Sequence, residues 1–290
     1  MPVSTDSLPS PFPEQPVAAE AGRGVSIGVF DSGLGGLSVL RAIRAHLPAA
    51  ELLYVADSGH APYGEKSDEF IGERSEHISR FLMTQGADLI VVACNTATAA
   101  AVHHLRSTWP SMPVVGVEPG VKPAVAHSRN QRIGVLATPF TLQSEKFRSL
   151  LERHGGNAHI VLQPCPGLAR EIERGLLDSP ELHALVSEFS QPLIDAGVDT
   201  AVLGCTHYPF VAPLFQQALG DGVHIIDTAE AVARQTARRV LDLPIRRDAQ
   251  ARAAEARATR LWSSGDPALL THVAHAWLGL KTQAGALPKE

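Results

Sequence analysis

The sequence predicts an α/β protein of two similar parallel-sheet sandwich domains, related by internal duplication, with a cleft between them. Three observations lead there. Short apolar runs alternate with helical patterns along most of the chain, which means parallel strands covered on both faces. Three strand ends then recur in order: Ile27 is answered by Ile133, Cys94 by Cys205, and the 114–118 stretch by 223–227, at offsets of 106, 111 and about 109 residues. Finally, two strands each deliver a cysteine into small polar residues, as Asp88-Leu-Ile-Val-Val-Ala-Cys94-Asn95-Thr96 and Asp199-Thr-Ala-Val-Leu-Gly-Cys205-Thr206-His207. Right-handed crossovers collect every strand's carboxyl end on one edge of its sheet. Open α/β sheets hold ligands at that edge, so the two thiols are expected to face each other across one cleft.

In chain order, a strand over 25–30 runs into Asp31-Ser32-Gly33-Leu34-Gly35-Gly36, followed by a helix from Leu37 to about His46. Such glycines let backbone N–H groups approach an anion at a helix start. The dinucleotide GxGxxG pattern and a Walker lysine are both absent, and a tight turn without a ligand remains an alternative. Asp31 would repel a phosphate there but suits an ammonium group or a thiol.

A strand over 51–56 enters the polar turn Asp57-Ser58-Gly59-His60-Ala61-Pro62-Tyr63-Gly64, and a helix covers 67–85 with Ile71, Ile78, Leu82 and Met83 inward. The next strand, 89–93, delivers Cys94 to a helix over 97–109, where the helix start is expected to favour a thiolate and lower the thiol pKa. A strand over 114–117 ends at Glu118-Pro119-Gly120.

The second half restarts with a strand over 132–136, Thr138 falling where Ser32 did. Cys165-Pro-Gly-Leu-Ala and Glu171-Ile-Glu173-Arg-Gly175 read as a helix start and its C-cap. Helices follow at 179–197, 213–220, 229–241 and 271–280, with strands ending near Leu203, Asp227 and Ser263. The resulting division is a disordered tail over 1–24, a discontinuous first domain of 25–120 plus 230–280, a second domain of 121–229, and a tail over 281–290. Asp31, Asp57, Cys94 and Glu118 should gather on one sheet edge, and Thr138, Cys205 and Asp227 on the other.

Composition narrows the function. Of 290 residues 44% are apolar, enough for a sizeable core, and the formal net charge of −5 speaks against a nucleic-acid footprint. Arg246-Arg247 reads as a solvated spot. No apolar run reaches the ~20 residues of a membrane span, and the start of the chain, with Pro2, Pro9, Pro11, Pro13 and Pro16, does not resemble a signal peptide. Three cysteines, Cys94, Cys165 and Cys205, are too few and too odd a number for a disulfide framework and suit a reducing cytoplasm.

Four readings compete for Cys94, Cys205 and His207. They could be buried structural residues. They could ligate a metal, although no CxxC pair is present. One cysteine with His207 could be an acyl-transfer nucleophile, which leaves the other unexplained. Or the thiols could be an acid/base pair, one removing a proton from carbon while the other returns one on the opposite face, which inverts the centre.

Taken together, Phe30-Asp31-Ser32-Gly33-Leu34-Gly35-Gly36, Pro62-Tyr63-Gly64, Ala93-Cys94-Asn95-Thr96-Ala97 and Gly204-Cys205-Thr206-His207-Tyr208-Pro209 resemble the motifs of the glutamate racemases, in order and spacing, over roughly 25–280. The resemblance implies a cofactor-independent racemase of the aspartate/glutamate racemase superfamily that makes D-glutamate for peptidoglycan in the bacterial cytoplasm. It implies Cys94 and Cys205 as acid/base residues, Asp31 supporting Cys94, and His207 with Glu173 supporting Cys205, Glu171 being the alternative to Glu173. It implies that Asp31, Ser32, Tyr63, Gly64, Asn95, Thr96, Thr206 and His207 hold the substrate. Phe140 stands where many members carry glycine, which bears on the carboxylate contacts of Thr138 and Thr141. No cofactor, metal, nucleic acid or membrane is expected, and the expected partner is a second copy in a homodimer. Without pyridoxal phosphate the cleft must itself stabilise the developing carbanion and exclude water, for which closure about Gly120 and Thr228 is expected. Rivals are an aspartate racemase and a non-catalytic binding protein with an anion on Gly33–Gly36.

Overall fold

Strand β1 (Ser26–Asp31), with all six residues buried, sits inside the first sheet and sets its register in the computed structural model, which describes residues 21–243 and 257–289. Around it are α1 (Leu37–His46), β2 (Glu51–Ala56), α2 (Asp68–Thr84), β3 (Leu89–Val92), α3 (Asn95–Thr108) and β4 (Val114–Gly116). The second half holds α4 (Val121–His127), β5 (Arg132–Ala137), α5 (Pro139–Gln143), α6 (Glu145–His154), β6 (His159–Pro164), α7 (Leu168–Glu173), α8 (Pro180–Asp195), β7 (Thr200–Leu203), α9 (Ala212–Leu219) and β8 (His224–Asp227). The chain returns through α10 (Ala229–Leu241), β9 (Thr259–Ser263), α11 (Pro267–Leu278) and β10 (Ala284–Ala286). Residues 1–20 and Arg246-Arg247 lie outside the described residues.

The first sheet has the order β10-β9-β2-β1-β3-β4 and the second β6-β5-β7-β8, with every pairing parallel. The run β2-β1-β3-β4 and the run β6-β5-β7-β8 are the same topology. Both reverse direction beside their first strand, between β1 and β3 and between β5 and β7, and a crevice opens at such a switch point. Apolar layers cover both faces of each sheet: Leu40, Tyr54 and Val91 belong to one face of the first, Phe30, Ile78 and Ile90 to the other. Leu136, Leu182 and Leu203 lie on one face of the second, and Ile133, Val135 and Phe147 on the other. Each fully buried aliphatic side chain contributes on the order of 1.5–3 kcal/mol.

Five elements depart from the sequence reading. The expected tail over 281–290 contains β10, an edge strand on β9, and Leu287 N–H donates to Ser263 O at 2.7 Å while its side chain is buried. The stretch Ala-Gly-Ala carries no alternation to announce a strand; pairing with β9 and burial of Leu287 create it. Residues 21–24, assigned to the leading tail, form a turn in which Ala49 N–H donates to Ala21 O at 3.1 Å. Strand β6 and helices α5 and α6 were not anticipated. As an edge strand β6 is partly exposed along its length, and only the short apolar run Ile160-Val161-Leu162 marks it.

The chain passes between the two sheets after β4 and after β8, and the two passages lie side by side. A Cβ at Gly120 would meet Ile226 Cγ2 at 3.0 Å and Thr228 Cγ2 at 3.5 Å. Beyond them α10 packs on α1. The rings of Phe210 and Trp277, 4.1 Å apart, join the apolar layers of the two halves.

Candidate active site

The two switch points open onto one cavity of about 470 Å³, lined from the first half by Ser32, Tyr63, Gly64, Cys94, Asn95 and Thr96, and from the second by Thr138, Glu173, Cys205, Thr206 and His207. Both thiols are nearly buried, 5% and 7% exposed, yet both belong to this wall. The third, Cys165, is buried in the core of the second half, where its S–H donates to Gln163 O at 3.5 Å.

Cys94 lies just after β3 and caps α3, its sulfur accepting from Ala97 N–H at 3.4 Å. Its own S–H points to Ser32 Oγ at 3.6 Å, and Ser32 Oγ donates to Asp31 Oδ1 at 3.1 Å. Asp31 is fully buried behind this wall. It accepts Ser32 N–H at 2.6 Å and, on Oδ2, the Thr206 hydroxyl at 3.0 Å. The expectation of a lowered Cys94 pKa does not hold. Burial, and then the neighbouring Asp31 charge, push the thiol up, outweighing the helix-start N–H and the Ser32 hydroxyl. Burial likewise raises the Asp31 carboxyl, with His207 opposing.

Cys205 follows β7, where Gly204 is required because a Cβ would fall 2.9 Å from Ala137 Cβ and 3.0 Å from Leu136 O. Its sulfur lies 3.6 Å from His207 Nδ1, and His207 Nε2 is hydrogen-bonded to Glu173 Oε1. Burial disfavours a charged imidazole, but the Cys205 sulfur and the Glu173 carboxylate on its two nitrogens win and hold it well above the usual value. Glu173 ends α7, a single short helix set between Gly167 (φ +78°) and Gly175 (φ +80°), whose left-handed backbones few other residues adopt. Glu171 lies aside, paired with Arg174 at 3.1 Å.

The glycine-rich turn after β1 does cradle an anion, and the anion is Glu173: Leu34 N–H donates to Oε1 at 2.5 Å. A Cβ at Gly33 would overlap the Glu173 carboxylate, and one at Gly35 would overlap the His207 ring. Each thiol is therefore backed by a polar group and a carboxylate, Ser32–Asp31 behind Cys94 and His207–Glu173 behind Cys205.

Asn95 lines the cavity with its side-chain oxygen and nitrogen both buried and without a protein partner. Beside it the hydroxyls of Thr96, Thr138 and Thr141 cluster: Thr96–Thr138 3.2 Å, Thr96–Thr141 3.4 Å, Thr138–Thr141 2.9 Å. These are donors and acceptors suited to a carboxylate.

Known proteins resemble this chain in sequence and in fold. A family model described as Asp/Glu/Hydantoin racemase matches residues 27–236. The chain is 51% identical over 259 residues to the glutamate racemase of Ectopseudomonas mendocina, covering 89% of this chain and 96% of the relative. It is 50% identical over 242 residues to that of Pseudomonas aeruginosa, covering 83% and 89%. The chain belongs to the glutamate racemases of the Asp/Glu/hydantoin racemase family. Among solved structures it is similar to glutamate racemase RacE1 of Bacillus anthracis, with a TM-score of 0.80 at 30% identity over 92% of this chain and 98% of that one. It is also similar to glutamate racemase of Francisella tularensis in complex with D-glutamate, with a TM-score of 0.76 at 25% identity over the same shares of the two chains.

Not every residue the sequence placed on the sheet edges reaches this racemase's cavity. Glu118 is exposed, pairs with Lys146 at 3.3 Å, and lines a separate cavity of about 670 Å³ together with Phe140; that larger space holds neither cysteine. Phe140 therefore leaves Thr138 free to face the site. Asp227 accepts Ala229 N–H at 2.8 Å at the start of α10. Asp57 lies behind the wall rather than in it. Conversely, Ser58, Arg170, Arg174, Asp266 and Leu269 line the cavity without having been singled out. The spacing of Arg170, Glu173 and Arg174 on one helical face was a usable signal for two of them. Asp266 and Leu269 had none, since only the return of the chain through β9 brings them near.

Proposed function

We propose that the chain interconverts L- and D-glutamate by proton transfer between its two cysteines and Cα. One thiolate takes the Cα proton and becomes a thiol; the opposite thiol gives its proton to the other face and becomes a thiolate. The centre inverts, no net proton is consumed, and the two sulfurs exchange states. What supports the reading is the single cavity that receives Cys94 from one sheet and Cys205 from the other.

The supports differ. A His207 imidazolium can donate to the Cys205 sulfur while Glu173 balances its charge, whereas Cys94 meets a neutral hydroxyl backed by Asp31. The ligand-free site thus suits a thiol at Cys94. Ser32 and Thr206 face the ammonium side of the substrate, with the Asp31 carboxylate behind them rather than in the wall. Asn95 and the threonine hydroxyls hold carboxylate oxygens, where charge develops as Cα loses its proton. Tyr63, Gly64 and His207 complete the pocket. Closing the two halves about the adjacent passages at Gly120 and Thr228 would exclude water. Crystals with and without D-glutamate would show a changed angle between the sheets, and equal angles would refute closure.

We further propose that this D-glutamate supplies peptidoglycan synthesis in the cytoplasm and that the enzyme is a homodimer, which light scattering would detect. No described helix is long and apolar enough to cross a membrane. The decisive experiment is exchange of the Cα proton in D₂O. Cys94→Ser should impair turnover from one enantiomer more than the other, and Cys205→Ser the reverse; normal racemisation by both variants would refute the mechanism. L-aspartate, assayed alongside, should be the poorer substrate.

A further inference from the structure

Asp57 follows β2 and lies outside the cavity wall, yet it is completely buried and is the most heavily bonded carboxylate near the site. Arg74 of α2 grips it with Nε to Oδ2 at 3.1 Å and Nη2 to Oδ1 at 2.9 Å. The Tyr63 hydroxyl donates to Oδ2 at 2.6 Å, and His60 Nδ1 lies 3.1 Å from Oδ1. Burial pushes the carboxyl up, but these donors win and hold it below its usual value.

The segment so gathered is the part of the wall with least regular structure. Between β2 and α2 it has only two single turns of 3₁₀ helix, Ser58–His60 and Tyr63–Glu65. Ser58, Tyr63 and Gly64 of this segment nevertheless face the cavity. Gly59 N–H donates to Ser264 Oγ at 3.1 Å, beyond β9, and the Tyr63 ring packs in the apolar layer that includes Cys94. With turn bonds as its only backbone pairing, the segment depends on this packing and on the side-chain bond from Tyr63 to Asp57 for where the ring, and the Gly64 backbone after it, stand.

We propose that Asp57, anchored by Arg74, is a positioning residue for substrate affinity, acting through Tyr63 to hold the Tyr63–Gly64 wall in its binding position. The proposal rests on the reading above that Tyr63 and Gly64 hold the substrate. The Asp57 carboxylate touches neither sulfur nor the side chains that support them, and the backbone bond from Asp57 N–H to Asp31 O at 2.9 Å is kept in Asp57→Asn. Loss of the carboxylate therefore acts on binding of both enantiomers alike and leaves the proton transfers intact. An interaction lost equally from ground and transition states raises KM without lowering kcat.

The test is a double-mutant cycle of Asp57→Asn and Tyr63→Phe in the full chain, with KM and kcat in both directions. D-glutamate dissociation constants are measured calorimetrically in a Cys94→Ser background, so that binding is read independently of turnover. Asp57→Asn should raise KM and the dissociation constant roughly tenfold with kcat changed less than about twofold, and the two substitutions should be clearly less than additive. Arg74→Lys, which keeps the charge but loses the two-pronged grip, should shift affinity in the same direction by less, and it serves as the readout if Asp57→Asn does not fold. Unchanged affinity in Arg74→Lys and Asp57→Asn, additive effects, or a fall in kcat with KM constant would overturn the proposal. Tyr63→Ala separates the two levels: if it leaves affinity unchanged, the substrate-holding reading of Tyr63 is wrong; if it weakens binding while Asp57→Asn does not, only the positioning role is wrong.

Discussion

The Thr206 hydroxyl donates to Asp31 Oδ2 at 3.0 Å, joining the residue after one thiol to the carboxylate behind the other. Glu173 makes the reciprocal crossing, reaching from the second half to Leu34 N–H in the first. The two thiols are therefore supported by groups that exist as a unit only when both halves are together. Disturbing one support should be felt on both sides of the cavity.

Glu173 and Glu171 are two residues apart and chemically alike, but only Glu173 meets His207. Glu173→Gln should lower kcat on the order of 10²-fold, the scale of misplacing a catalytic group, and Glu171→Gln should change it less than about twofold. Steady-state rates in both directions decide this; equal effects would mean that the His207–Glu173 bond is catalytically idle.

Ala at Gly35 would press on the His207 ring and Ala at Gly33 on the Glu173 carboxylate. Either substitution should cost about 10²-fold in kcat/KM while the far-ultraviolet circular dichroism of the fold persists. Wild-type rates from Gly35→Ala would show that the turn tolerates displacement of its partner.

Burial and Asp31 raise the Cys94 thiol, so iodoacetamide should label it slowly near neutrality, with a rate still climbing above pH ~8.5, where an ordinary thiol levels off. Peptide mapping of the labelled protein across that range reads this out. A plateau at or below neutrality would contradict the burial argument, and Asp31→Asn should bring the climb to lower pH.

His207 is held above its unfolded value, so the stabilisation it provides is fully present below about pH 6.5 and is lost as pH rises through the raised value. The gap in urea-unfolding free energy between the native chain and His207→Asn should accordingly narrow toward alkaline pH. A gap that widens with pH would mean that the ring is neutral in the folded protein.

Leu287 is 7% exposed beneath β10. Leu287→Ala should cost about 2 kcal/mol, the lower range for a buried leucine, with kcat unaffected. No loss of stability in urea would return residues 281–289 to the status of a tail.

Much of this molecule was legible in its linear order. Apolar runs such as Leu89–Val92 and Thr200–Leu203 announce buried parallel strands because both faces of each strand must be covered. The recurrence of those runs with a cysteine after each placed Cys94 and Cys205 at equivalent strand ends, and chain-local chemistry marked Asp31, Asn95, Thr206 and His207 as their neighbours. Other features came only from assembly. Edge strand β10, Ala-Gly-Ala, has no apolar signature, and pairing alone makes it a strand, while edge strand β6 carries only the short run Ile160-Val161-Leu162. Gly33 and Gly35 owe their size to a carboxylate and an imidazole more than a hundred residues away. Glu173 differs from Glu171 only in the side of α7 on which it falls, and the thiol at Cys94 follows its burial rather than the helix start beneath it. Local periodicity determines which segments form and which ends carry reactive groups. Distances, burial and charge around those groups belong to contacts between remote segments, and only the folded chain brings those together.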